Sequence, residues 1–186
     1  MTRKLTMVIG GAVCSALLGI GSTAYAAQDQ GSNEIEGSGG FTHAEGTNSG
    51  VLNANVSYGY FFTPNWEAGV RQTLSYNFNN SQTDDTWQAS TVPFVNYQFH
   101  GLSADDRFQP FVGAFLGATY NDNDTTGTIG PQLGVKYFVN DSTYVVARYS
   151  YEWLFNDITL GDSGPFGDSK SSGNHAVNFG LGYTWK

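Results

Sequence analysis

In the stretch Asn178-Phe179-Gly180-Leu181-Gly182-Tyr183-Thr184-Trp185, which Lys186 follows, every second residue is apolar. Side chains of a strand alternate between faces, so Phe179, Leu181, Tyr183 and Trp185 form one continuous row while Asn178, Gly180, Gly182 and Thr184 point the other way. With Val177 the alternation covers about ten residues, the length a tilted strand needs to cross a bilayer. The plainer reading is an edge strand of a soluble sandwich. Such a strand breaks a bulky outward row with charge, and this row carries none.

The same two-residue period recurs upstream. It covers roughly 33–45, 49–61, 66–77, 86–99, 108–120, 127–138 and 143–155, which together with 174–185 predicts about eight strands of membrane-crossing length. Apolar residues recur every three or four positions nowhere outside the N-terminal segment, so helices are not expected. Composition points the same way: 28 Phe, Trp and Tyr make 15% of the chain, beside 24 Gly and only 13% charged residues. The expected fold is all-β, a closed antiparallel up-and-down transmembrane β-barrel.

The connections alternate in length. Phe62-Thr63-Pro64-Asn65 and Val139-Asn140-Asp141-Ser142 read as tight turns, with Pro, Asn and Asp where turn geometry favours them, and His100 to Arg107 is a somewhat longer link. Between them come polar segments at about 44–49, 77–86, 121–126 and 156–173. Short turns at one end and long loops at the other are the habit of a membrane barrel whose short side faces the periplasm. An even strand number then puts both chain ends at the turn end.

Face assignment sorts charge from grease. In 143–155, Val145, Ala147, Tyr149, Tyr151 and Trp153 share one face and Tyr144, Val146, Arg148, Ser150 and Glu152 the other. In 66–77, Trp66, Ala68, Val70, Leu74 and Tyr76 oppose Glu67, Gly69, Arg71, Thr73 and Ser75, although Gln72 interrupts the apolar row. Ile129, Pro131, Leu133, Val135 and Tyr137 oppose Thr128, Gly130, Gln132, Gly134 and Lys136, and the alternation from Phe108 to Tyr120 turns Gln109, Phe111 and Phe115 inward. A Lys or Arg at the bilayer midplane costs about 2–4 kcal/mol, so such sorting is what a lipid-facing wall demands. The first strand is glycine-rich and carries Glu34 and Glu36. Aromatic residues gather near strand ends, Phe61, Phe62, Trp66, Tyr97, Phe99, Tyr137, Tyr183 and Trp185 by the turns and Tyr76, Trp87, Tyr120, Trp153 and Phe155 by the loops, which predicts two girdles at headgroup level.

The N-terminus names a compartment. Arg3 and Lys4, an uncharged apolar stretch from Leu5 to Ile20 and the small-any-small triplet Ala24-Tyr25-Ala26 predict a secretory signal peptide over 1–26 and a barrel domain over 27–186. Cys14, the single cysteine, lies inside that segment; apolar sequence continues beyond it, so a lipid anchor there is not expected. Cleavage leaves 160 residues without cysteine, which excludes disulfide and thiol chemistry. Six basic residues then stand against 16 acids, a net charge near −10, and nucleic acid is excluded as a partner because it requires a basic footprint.

The chain resembles the small OmpA/OmpX/OmpW-like outer-membrane β-barrel domains of the porin family. The resemblance is carried by Phe108-Gln109-Pro110-Phe111-Val112-Gly113, by Gly130-Pro131-Gln132-Leu133-Gly134-Val135-Lys136-Tyr137-Phe138 and by the terminal signal, in which Asn178, Gly180, Tyr183 and Trp185 fill the polar, glycine and two aromatic slots. Lys186 departs from that signal, which usually stops on the aromatic. The resemblance implies secretion to the periplasm, handling by periplasmic chaperones, insertion by the barrel-assembly machinery and residence among lipopolysaccharide in the outer membrane of a Gram-negative bacterium. No peptidoglycan-binding domain is expected after the barrel.

The inward charges Glu36, Glu67, Arg71, Lys136, Arg148 and Glu152 are three acids and three bases. About eight strands leave an interior that side chains fill, so these residues are expected to plug the lumen as a salt-bridge and hydrogen-bond network; a narrow ion path gated by switching pairs is the rival. His43 and His175 fall on strands that closure makes neighbours, but two ligands are too few for a metal, and no metal or cofactor is expected. His100 is expected to cap a turn. No serine sits with a histidine on a strand in a nucleophile arrangement, so an enzyme, of which a lipid A-modifying barrel is the relevant kind, is not expected. The loop segments hold Glu45, Asp84, Asp85, Asp122, Asp124, Asp157, Asp162 and Asp168 with Lys170 the only base; Asn121-Asp122-Asn123-Asp124 could gather Ca²⁺ or Mg²⁺, while solvated loop surface is the plainer account. Together these features predict a structural or surface-interaction protein that displays polar loops to lipopolysaccharide, ions or an extracellular partner. The alternative is a narrow channel for ions or small solutes.

Overall fold

The computed structural model describes residues 28–44, 50–77, 87–102, 106–120, 125–155 and 173–186. Its strands are β1 (Asn33–Ala44), β2 (Gly50–Phe61), β3 (Trp66–Asn77), β4 (Trp87–Gln98), β5 (Phe108–Tyr120), β6 (Thr125–Phe138), β7 (Thr143–Phe155) and β8 (Gly173–Trp185). Each pairs antiparallel with its chain neighbours, and β8 returns to β1 to close the barrel. The closing seam runs from Asn33 opposite Trp185 to Ala44 opposite Asn174. Closure leaves no unpaired backbone edge, a requirement for any wall that meets hydrocarbon.

β3, β5 and β7 have the bounds their periodicity predicts. β6 begins two residues earlier than expected, because pairing with β5 continues until Tyr120 stands opposite Thr125. At the turns, Asn140 Oδ1 accepts from the backbone N–H groups of Ser142 (3.0 Å) and Thr143 (2.8 Å), so the asparagine side chain substitutes for a backbone turn. His100 holds two turns together: its Nε2 lies 2.8 Å from Pro64 O and its Nδ1 3.2 Å from Asp106 Oδ2. Asp106 adopts φ 49°, and its Oδ1 accepts from the Gly101 N–H at 2.7 Å.

Polarity is inverted relative to a soluble barrel. Leu52, Val56, Leu74, Leu116, Leu133, Phe179 and Leu181 point outward and are each more than half exposed, whereas Glu36, Glu67, Lys136, Arg148 and Gln98 are buried inside. An apolar belt that circles the molecule is stable only where the surroundings are themselves apolar. The interruption at Gln72 is locally satisfied: its Nε2 donates to Tyr120 Oη at 2.9 Å and its Oε1 accepts from Thr91 Oγ1 at 2.6 Å, so no amide group faces lipid alone.

The girdle at the turn end is built from packed rings, with Trp66 edge-on to Tyr97 at 5.1 Å and Tyr97 edge-on to Phe99 at 5.0 Å. Phe61 does not belong to it. The alternation of β2 places Phe61 on the inner face with Ser57 and Asn55, and it is completely buried. Of the aromatics expected at the loop end, Tyr76, Trp87 and Trp153 are exposed, while the side chain of Phe155 falls outside the described residues. Inside, bulky residues lie over glycines of the adjacent strand: a Cβ on Gly134 would come 2.5 Å from Phe111 Cζ, and one on Gly69 2.5 Å from Phe94 Cζ. Glycine therefore makes room for the inward aromatics within a barrel too narrow to hold a large residue at every inner position.

Candidate functional site

The lumen divides at mid-height. Its turn-end half is filled by Phe61, Phe111, Phe138 and Tyr144 around the ammonium of Lys136, which β6 delivers two residues before its end. Lys136 Nζ donates to both oxygens of Glu34 at 2.7 Å and to Glu67 Oε2 at 3.3 Å. It also stands 5.4, 5.8 and 5.0 Å from the ring centroids of Phe61, Phe111 and Tyr144, within range of cation–π attraction. One cation thus joins three strands that are remote in sequence, and aromatic faces surround it where water is excluded.

Amides extend this cluster upward. Glu67 Oε2 accepts from Asn96 Nδ2 at 3.1 Å and Gln98 Nε2 at 2.8 Å. Gln132 Nε2 donates to Asn96 Oδ1 at 2.6 Å, and its Oε1 accepts from Arg71 Nη2 at 2.8 Å. Below, Gln28 Nε2 reaches Glu34 Oε2 at 3.2 Å. The result is one unbroken polar path from Arg71 to Gln28. Beside it Arg148 Nη2 pairs with Glu36 Oε2 at 2.6 Å, and the guanidinium lies 5.7 Å from the Phe111 centroid.

The six charges singled out from the sequence therefore have different surroundings. Lys136 meets Glu67 and Arg148 meets Glu36, whereas Arg71 reaches Glu67 only through Gln132 and Asn96. Glu152 has no ion pair or hydrogen bond among the described residues and lines a cavity of 240 Å³ together with Arg71. Sequence reasoning left out Glu34, the tightest partner of Lys136. The signal was present, since Glu34 is two residues before Glu36 and so shares its face. The amides Asn96, Gln98 and Gln132 gave no comparable signal, because alternation assigns a face and not a partner across the lumen.

Of the terminal-signal residues, Asn178 points inward and accepts from Asn55 Nδ2 at 2.9 Å, and Gly180 pairs with Ser38 across the seam. Tyr183 and Trp185 stack with centroids 6.1 Å apart at the turn-end girdle. His43 and His175 are register partners across the seam. His175 Nδ1 lies 2.7 Å from Tyr149 Oη, and the described residues hold no group of three side chains able to ligate a metal. The loop acids Glu45, Asp84, Asp85, Asp122, Asp124, Asp157, Asp162 and Asp168, with Lys170, lie outside the described residues, as does the segment 1–26.

Comparison with known proteins gives a consistent architecture. The sequence model of the outer membrane protein beta-barrel domain matches residues 12–184. Neisserial surface protein A superposes with a TM-score of 0.60 at 17% identity, over 82% of this chain and 95% of that one. The N-terminal β-barrel domain of Pseudomonas aeruginosa OprF gives 0.52 at 19% identity over 85% and 100%, and Pseudomonas aeruginosa OprG gives 0.53 at 11% over 87% and 99%. No curated protein matches in sequence. At these identities the likeness is one of fold.

Proposed function

The chain belongs to the outer membrane protein beta-barrel domain family and resides in the outer membrane of a Gram-negative bacterium, and on that premise we propose that it is a plugged anchor, a barrel that conducts nothing and displays polar loops at the cell surface. The observation that carries this reading is the seal of Lys136 by Glu34 and Glu67 within the ring of Phe61, Phe111 and Tyr144. An ion crossing that layer would have to displace a cation held by two carboxylates at 2.7–3.3 Å. Breaking such a buried pair costs about 3–5 kcal/mol. With the lumen closed, function moves to the loops, above all 156–173, whose acidic and amide side chains suit contact with lipopolysaccharide through bridging divalent cations, or with an extracellular partner.

Biogenesis fits the same picture. Residues 1–26 direct secretion, periplasmic chaperones carry the unfolded barrel, and the assembly machinery reads Asn178, Gly180, Tyr183 and Trp185. The role is not enzymatic in this reading: Glu34, Glu36 and Glu67 are engaged in ion pairs rather than free for proton transfer.

Planar-bilayer recording of the refolded mature protein tests the plug. Silence is expected from the wild type, and discrete openings from Lys136→Ala combined with Phe111→Ala. Stable openings in the wild type that vanish in Arg148→Ala or Glu152→Ala would replace the anchor with a channel. A mass shift of lipid A on expression would replace it with an enzyme.

A further inference from the structure

We propose that the loop-end half of the lumen binds a small zwitterion of the α-amino acid type, with its carboxylate on Arg71 and its ammonium on Glu152. The cavity there measures 240 Å³. That is below the ~300–1,000 Å³ of sites for drug-sized ligands, so the occupant is small. Arg71 and Glu152 are its charged lining groups, one of each sign. They project from β3 and β7, which stand four places apart in a ring of eight and therefore face each other across the lumen.

Both charges differ from the rest of the lumen. Lys136 and Arg148 have carboxylate partners at 2.6–3.3 Å, whereas Arg71 has none within 4 Å among the described residues, and Glu152 has neither an ion pair nor a hydrogen bond there, only an attraction to Arg71 from beyond ion-pair range. Arg71 is nonetheless fixed in place. Gln132 holds its Nη2 at 2.8 Å, Phe94 lies under its guanidinium at 5.1 Å, and its Nε is left without an acceptor. Part of the neutral wall is occupied with itself: Thr73 Oγ1 donates to Asn55 Oδ1 at 2.7 Å and Ser75 Oγ to Asn53 Oδ1 at 2.6 Å. Charge in the cavity wall is thus confined to two opposite groups more than 4 Å apart. A simple anion would pair Arg71 and leave its own charge facing Glu152, a cation would do the reverse, and a neutral polyol would satisfy neither. A molecule carrying both charges completes the site, because charge-assisted hydrogen bonds are the strong ones.

Calorimetric titration of the refolded mature protein in detergent micelles tests this, with L-serine as the probe and glycolate, ethanolamine and glucose as single-charge and neutral controls. Saturable serine binding is expected, at least about tenfold tighter than any control, a difference of about 1.4 kcal/mol or more. Glu152→Gln should weaken serine by at least the same factor and narrow its advantage over glycolate. Arg71→Lys, which keeps the charge and loses the fork, should weaken serine while retention of heat-modifiable gel mobility reports an intact barrel. The proposal is overturned by absence of saturable serine binding to the wild type, by equal binding of glucose or of either single-charge control, or by unchanged affinity in folded Glu152→Gln. Binding is read by heat and the plug by conductance, so either idea can fail alone.

Discussion

At the scale of single residues, Lys136 is the side chain on which the interior depends most. Lys136→Met leaves the carboxylates of Glu34 and Glu67 buried without a cation, a loss expected to cost about 3–5 kcal/mol. Urea titration of tryptophan fluorescence in lipid vesicles measures it, and adding Glu34→Gln to the same chain should recover part of the loss. Gly134 makes the complementary case. A side chain there meets both the Ala147 carbonyl oxygen and the Phe111 ring, so Gly134→Val is expected to destabilise by about 1–3 kcal/mol through overpacking, and Phe111→Ala in the same chain should relieve only the part that the ring contributes. Periodicity made the inward direction of Lys136 legible but not its partner, since Glu34 lies 102 residues away and only closure brings the two together. Phe61 was misplaced for a related reason: an aromatic beside a turn suits either a girdle or a lumen floor, and only the phase of its strand decides between them.

At the scale of elements, β8 carries two separable roles. Its midpoint, Phe179, is 64% exposed on the outer face. Phe179→Arg should therefore cost about 2–4 kcal/mol in vesicle refolding, and Trp185→Arg at the girdle much less, because the cost of a charge falls toward the interface. If Tyr183 and Trp185 are read during assembly, Tyr183→Ala combined with Trp185→Ala should lower the amount inserted in cells while unaided refolding into detergent proceeds as before; equal losses in both settings would make these rings purely structural. Strand limits were legible wherever bulky residues mark the outer face, as along β3, β5 and β7. The start of β6 was not, because Thr125 and Gly127 give the outward row no apolar sign and only pairing with β5 extends the strand.

At the scale of the whole molecule, closure and inversion were legible because they arise from a pattern that every strand repeats. The division of the lumen was less so, although its origin is local: inward positions are bulky toward the turns, as at Phe61, Phe111, Phe138 and Tyr144, and short toward the loops, as at Asn53, Thr73, Ser75 and Ser90. A cavity is the outcome of that gradient summed over eight strands, and no single segment reveals it. The seam has a different implication. Asn33 stands opposite Trp185, and the side chains of Asp29 and Lys186 approach to 3.3 Å, so the two ends of the barrel strand order meet at the turn end. The ring consequently has no obligatory first strand. A circular permutant whose old ends are spliced by a short spacer, and whose new ends open between Asn140 and Asp141, should settle into the same protease-resistant cylinder with a different order of strand synthesis.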